Sequence, residues 1–266
     1  MNILVCVKQV PDTTEIKIDP VTNTLIRAGV PSIVNPFDAY ALEIAARIKD
    51  KTPETTITVL SMGPPQAVAA LKECLAVGAD KAYLVSDRAF GGADTLATSY
   101  TLTCAIDKLE AEHAPFDLIF CGKQAIDGDT AQVGPEIAEH RDCPQITYAI
   151  EAAVENDEIL VKRETGEGYE ILAAKMPCVI TVTKPNFNPR FPTIKSKMAA
   201  NRAVITTLTV NDISVDDTKI GLKGSPTKVK KSFTPPPKQG GIRIIEETAE
   251  DTAKKLFDVL SAANLL

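Results

Sequence analysis

Four times in its first 140 residues the chain passes from a short β-rich apolar run to a stretch with apolar residues at helical spacing. The pattern predicts strands over 3–7, 56–62, 82–85 and 118–121. It predicts helices over 39–49, 67–77 and 94–111, and a fourth beginning near Ile137-Ala138. In the first helix Ala41, Leu42, Ile44, Ala45 and Ile48 fall on one stripe, the period of a buried helix face. Repeated strand–helix alternation implies a parallel sheet with helices on both faces, because parallel strands need crossover connections. Asn35-Pro36 punctuates before the first helix with Asp38 as candidate N-cap, and Asp94 or Thr95 caps the third. Gly78 reads as a C-cap for the second.

Past Cys143 the rhythm changes. Residues 149–154, 158–163 and 169–174 alternate as strands, with a turn at 164–168, and 178–182 is another buried-type strand. This predicts an antiparallel extension of the sheet. From Pro185 the chain is rich in proline and lysine, Pro235-Pro236-Pro237 reads as a polyproline spacer, and 252–263 has the pattern of a terminal amphipathic helix. The expected organisation is an α/β domain over 1–184 and, over 185–266, an arm that embraces a partner.

The stretch GKQAIDGDTAQVGPE at 122–136 joins the fourth strand to the fourth helix. Open α/β sheets bind ligands at the carboxyl ends of their strands. Glycines at 122, 128 and 134 allow close backbone approach, and free N–H groups at the helix start attract phosphate. Thr130 and Gln132 add neutral donors, while Asp127 and Asp129 oppose phosphate unless they face away or cap the turn. On the residues alone, a nucleotide site and an ordinary capped connection both stand.

Composition removes several classes. A net charge of −6 and a pI near 5.1 argue against nucleic acid, which needs clustered Lys and Arg. No apolar run approaches the roughly 20 residues that cross a bilayer, and Met1 to Val5 lacks the basic start of a signal peptide. The expectation is a cytoplasmic protein without membrane insertion. The six cysteines are scattered with no CxxC pair, and only His113 and His140 occur, so neither a zinc site nor a Ser-His-Asp triad is expected. No GxGxxG follows a strand and no GxxxxGK[ST] is present. A nucleotide here must be held by another arrangement.

The chain resembles the β subunit of electron transfer flavoproteins over essentially its full length. The stretches that carry the resemblance are VCVKQVPD (5–12), NPFDAYALE (35–43), SMGP (61–64), AVGADKAYLV (76–85), GADTLATS (92–99), DLIFCGKQAIDGDTAQVGPEIAE (117–139) and NPRFPTIKSKM (188–198). The resemblance implies a Rossmann-like α/β subunit paired with an α subunit, with an adenine nucleotide in the 122–133 loop. That nucleotide is AMP in simple electron shuttles and FAD in electron-bifurcating members. Carried over by position, its shell is Cys6, Asn35, Met62 and Gly122, Lys123, Gln124, Ala125, Ile126, Asp127, Gly128, Asp129, Thr130, Ala131, Gln132 and Val133. Taken alone, Cys6 and Met62 read as core residues. A recognition residue, on a loop after a Pro-Arg pair, falls at Ile194 and is expected to dock on a dehydrogenase.

Thr95 and Thr98, in a segment similar to FAD-containing members, have hydroxyls suited to an isoalloxazine edge, although N-capping explains them as well. Segments 18–30 and 221–229 also resemble subunits from anaerobes. The resemblance thus implies FAD in this subunit, NADH as electron donor, and ferredoxin or flavodoxin as one acceptor. The other is an acyl-CoA or lactate-type dehydrogenase reached through the α-subunit FAD. No side chain is expected to act as a catalytic acid or base. The alternative is a single-FAD carrier with structural AMP here.

Overall fold

The structure, a computed structural model, describes residues 1–12, 31–230 and 240–266. Segment 18–30 and Pro235 to Pro237, singled out above, lie outside the described residues. The chain divides into two compact units, Met1–Glu15 with Ile26–Lys230, and Ile16–Leu25 with Lys231–Leu266.

The first unit is built on a nine-stranded sheet. Its parallel centre is β1 (Asn2–Cys6), β4 (Thr56–Met62), β5 (Lys81–Val85), β6 (Leu118–Gly122) and β10 (Cys178–Val182). Of these, β1, β4, β6 and β10 are mostly apolar and nearly fully buried, while β5 begins at the exposed Lys81; strands covered by helices on both sides read this way. A separate two-stranded antiparallel ribbon pairs β2 (Gln9–Pro11) with β3 (Ser32–Val34). The strands β7 (Gln145–Glu155), β8 (Glu158–Thr165) and β9 (Gly168–Lys175) form the antiparallel extension, with β7 joined in parallel to β10.

The sheet order is β11-β5-β4-β1-β6-β10-β7-β8-β9. From β1 the chain builds outward through α1 (Pro36–Lys51), β4, α2 (Val68–Ala76) and β5. It then returns over the sheet as α3 (Thr95–Glu112) to lay β6 on the other side of β1. Residues of α1 and α2 belong to one core layer with Ile3, Val5, Val59 and Phe120. Residues of α3 and α4 (Val133–His140) belong to the other, with Leu4, Cys6, Leu60 and Cys121. The change of direction leaves a switch point between β1 and β6, where doubly wound sheets open a crevice.

Three expectations are corrected. Asn35, not Asp38, occupies the N-cap position of α1 and makes no side-chain cap bond there; Asp38 lies in the first turn and is buried. The fourth helix starts at Val133, earlier than the apolar pair Ile137-Ala138 implied, because its first turn is polar and glycine-containing. The body does not end at residue 184. It runs on through α5 (Ile194–Arg202), which packs against α2, and through β11 (Thr206–Leu208), which pairs with β5. Leu208, Ile213 and Ile220 then enter the core on the α3 side. These apolar residues are too widely spaced among polar ones to read as a strand or helix. In the second unit α6 (Ala249–Ala262) is capped by Thr248 and has no buried residue.

Candidate functional site

At the switch point Cys6, the last residue of β1, lies beside Cys121 near the end of β6, with Leu60 on the other side of Cys6. Cys6 belongs to the α3-side core, and Met62, one strand away, packs against it. Both therefore lie on the α3 side of the sheet.

That loop is held from below by α1. Asp38 Oδ2 accepts from Lys8 N (2.7 Å) and Oδ1 accepts from Gly122 N (3.0 Å), so one carboxylate ties the ends of β1 and β6. It is 6% exposed. Burial pushes its pKa up to about 7, against the pull of its hydrogen-bond donors and of the Lys8 ammonium. Asn35, 1% exposed, donates to Gln124 O (2.8 Å) and accepts from Ile126 N (3.2 Å). Its amide thus sets the loop's backbone from inside. Neither Asp38 nor Lys8 was picked from the sequence as a site residue. Asp38 left one trace: it stands three, four and seven residues before Ala41, Leu42 and Ala45, on the helix's buried stripe, where a carboxylate must have partners.

The two acids of the loop are accounted for. Lys8 Nζ lies 2.6 Å from Asp127 Oδ1, whose side chain is 6% exposed. Asp129 Oδ1 accepts from Gln124 Nε2 (2.8 Å). The three glycines differ in role. A Cβ on Gly122 would stand 2.2 Å from Asp38 Oδ1, and one on Gly134 would stand 2.5 Å from Thr181 Cγ2. Both are required by packing within the protein. A Cβ on Gly128 would meet no atom within 4 Å, which leaves open space beside an exposed backbone.

The backbone beyond Gly128 is strained. Asp129 and Ala131 have φ of +52° and +54°, a conformation that costs a non-glycine residue on the order of 1–3 kcal/mol. Alanine has no polar side chain to stabilise it. Ala131 precedes Gln132 at φ −111°, ψ −35°, and a left-handed residue beside a right-handed one turns successive N–H groups to one side. Among the described residues, the N–H groups of Thr130, Ala131, Gln132, Val133 and Gly134 have no acceptor. Five free donors at the start of α4 make a concavity for an anion.

The opposite wall is the start of α3. Asp94 is its N-cap, accepting from Ala97 N (3.1 Å), so neither threonine caps the helix. Thr95 Oγ1 donates to Glu136 Oε1 (3.0 Å) and lies 3.3 Å from Gln132 Oε1. Thr98 makes no side-chain hydrogen bond among the described residues. Glu136 Oε2 is buried without a partner among them. The five free N–H groups could hold an anion at the loop, and the Thr98 hydroxyl and Glu136 Oε2 are further polar groups without a protein partner among the described residues. Thr95 thus meets Gln132 and Glu136 at the start of α4, Asn35 holds the 124–126 backbone, and Cys6 and Met62 belong to the core on the same side of the sheet as α3.

Ile194 stands elsewhere. It is the first residue of α5, capped by Thr193 and Ser196 in a reciprocal box, and it sits on a helix rather than a loop. It is 83% exposed, near the 90% exposed Phe191. Arg190 anchors this corner: its Nε bonds Glu43 (2.9 Å), which is itself buried, and its guanidinium reaches Asp50 (2.7 Å). Hollows of about 660 and 520 Å3 flank Arg190 and include none of the crevice residues. Among the described residues, no cluster of His, Cys, Asp and Glu suits a metal ion, and no helix is long and apolar enough to cross a membrane.

A family model described as the electron transfer flavoprotein domain matches residues 22–213. The chain is 56% identical to the electron transfer flavoprotein subunit beta of Megasphaera elsdenii over 260 residues, 97% of this chain and 96% of that one. It is 48% identical to the caffeyl-CoA reductase-Etf complex subunit CarD of Acetobacterium woodii over 266 residues, the whole of both chains. Identity to protein FixA of Bradyrhizobium diazoefficiens is 44% over 264 residues, 98% of this chain and 91% of that one.

Proposed function

The chain belongs to the electron transfer flavoprotein family as a β subunit, and on that premise we propose that its crevice holds FAD in an NADH-oxidising, electron-bifurcating heterodimer. Its role is electron transfer, as a non-catalytic subunit. The observation that carries the reading is the strained turn at Ala131-Gln132 with its unpartnered N–H groups. Strain of this kind persists where a function requires it.

Bound there, FAD would accept hydride from NADH and divide the electron pair between ferredoxin or flavodoxin and, through the α-subunit FAD, a partner dehydrogenase. The chain's own residues bind and orient. The N–H groups of 130–134 hold phosphate oxygens, and Lys8 cancels the charge of Asp127 at the loop's base. Gly128 leaves the approach open. Cys6 and Met62 exclude water below the adenine. Thr95 and Thr98 offer hydroxyls to the isoalloxazine edge, and the explanation that they merely cap α3 fails because Asp94 does so.

Ile194 is the dehydrogenase contact, exposed and rigidly capped at the head of α5. The Acetobacterium relative is named for a complex with a CoA-ester reductase, which favours an acyl-CoA type of partner over a lactate type. The test is anaerobic stopped-flow mixing of the purified heterodimer with NADH, after counting its cofactors. Two FAD per heterodimer, with prompt bleaching of the second, is the expected result. One FAD with AMP released on denaturation, and no bleaching, would instead establish a simple carrier. Thr98→Val keeps the side-chain shape and is expected to change the bleaching rate while leaving the fold intact.

A further inference from the structure

The cap of α3 does more than cap. An N-cap needs one side-chain oxygen. Asp94 Oδ1 serves that purpose on Ala97 N, while Oδ2 accepts from Thr227 N (2.9 Å) and the Asp94 N–H donates to Ser225 Oγ (2.8 Å). Ser225, 4% exposed, donates in turn to Gly221 O (2.7 Å). The segment that supplies these partners is fitted without slack. A Cβ on Gly221, at φ +54°, would stand 2.1 Å from Ala89 O, and one on Gly224 would stand 2.0 Å from the Lys219 carbonyl carbon. Leu222 N donates to Gly91 O (3.0 Å), and the Leu222 side chain packs on Gly92, so both sides of the turn before α3 are gripped.

We propose that Asp94 is a positioning residue, which fastens residues 221–227 to the first turn of α3 and thereby fixes where the Thr95 hydroxyl stands in the nucleotide crevice. The proposal rests on the reading of that crevice as an FAD site. Thr95 follows Asp94 directly, and its hydroxyl meets Glu136 across the crevice mouth. With the fastening lost, the cap still forms, but the backbone at Asp94 and Thr95 loses its direct tie to residues 225–227 and is held from that side only by the Leu222 contacts at Gly91 and Gly92. The side chain of Asp94 touches no ligand in this account and acts through Thr95.

Asn caps a helix as well as Asp, so Asp94→Asn keeps the cap and removes only the second acceptor. Ser225→Ala removes the other half of the fastening. The measurement is FAD affinity of the nucleotide-depleted heterodimer by quenching of flavin fluorescence, with the Gly128→Val complex as the blank for the β-subunit site. Hydrogen exchange over 94–98 and 221–227 accompanies it. Each variant is expected to weaken FAD binding at that site by about five- to tenfold, the scale of one net hydrogen bond, and to speed exchange in the first turn of α3. Because Asp94 acts through Thr95, Asp94→Asn combined with Thr95→Val should bind FAD no more weakly than the worse single variant. Faster exchange at 221–227 with unchanged FAD affinity would make the fastening purely structural and overturn the proposal, as would effects that multiply. A wild-type complex that rebinds no FAD at this site, or a Thr95→Val complex that rebinds it unaltered, would overturn the crevice reading itself.

Discussion

Asp38 sets stability and site geometry against each other, and pH separates them. Burial raises its pKa from 3.8 to about 7. Between those values the folded chain holds a proton that the unfolded chain releases. The group's contribution is therefore full below pH 4 and is lost as pH rises through 7, at about 1.4 kcal/mol per pH unit. Asp38→Asn removes the titration. Between pH 5 and 7 the variant should gain on wild type by about 2 kcal/mol, because the slope halves as pH reaches the folded pKa, and the gap should stay level above about pH 8. The price falls on the loop: an amide has one acceptor oxygen, whereas Lys8 N and Gly122 N both need one. One buried N–H then faces a donor, so exchange at Lys8 or Gly122 should quicken and nucleotide content should fall. Urea unfolding followed by far-UV circular dichroism at pH 5, 6, 7 and 8 reads the first effect. A gap that moves the other way, with wild type gaining as pH rises, would mean that the two N–H bonds and Lys8 outweigh burial, and the reasoning would fail.

Gly128→Val should lower nucleotide content with little loss of stability, since its Cβ meets nothing. Gly134→Ala should cost about 1–3 kcal/mol of stability by overpacking, because Thr181 stands 2.5 Å from the added carbon; thermal unfolding and nucleotide release together distinguish the two glycines. Ile194→Ala, at an exposed position, should leave stability and flavin content unchanged while weakening docking by roughly 1–3 kcal/mol, read as slower electron delivery to the dehydrogenase. Truncation after Lys230 should leave the first unit folded and weaken assembly with the α subunit in size-exclusion chromatography at low concentration, whereas a cut after Lys223 should also destabilise α3 because it removes Ser225 and Thr227.

The strand–helix alternation was legible because periodicity is local: a buried parallel strand is apolar whatever surrounds it, and α1, α2 and α3 carry their stripes within a few turns. The chain after residue 184 was not legible by the same means. Ile213 and Ile220 reach the core from irregular backbone, where no period marks a buried position. The crevice was found by its loop, yet its support was missed, since Asp38 and Lys8 act across 84 and 119 residues.

The acids of the loop illustrate why a local reading reaches a limit there. On sequence, Asp127 and Asp129 count against phosphate, because like charges repel. In the fold, Lys8 arrives from the end of β1 and neutralises Asp127, and that is possible only because β1 and β6 are neighbours in the sheet. The same adjacency lets one buried carboxylate of α1 hold both strand ends. The glycines shift in the complementary direction: all three were assigned to a ligand, and packing within the protein accounts for two of them, Gly122 and Gly134. What remains for the ligand is a smaller set, Gly128 and the left-handed Ala131 with the N–H groups that follow it. These are the positions where neither packing nor intramolecular hydrogen bonding explains the backbone.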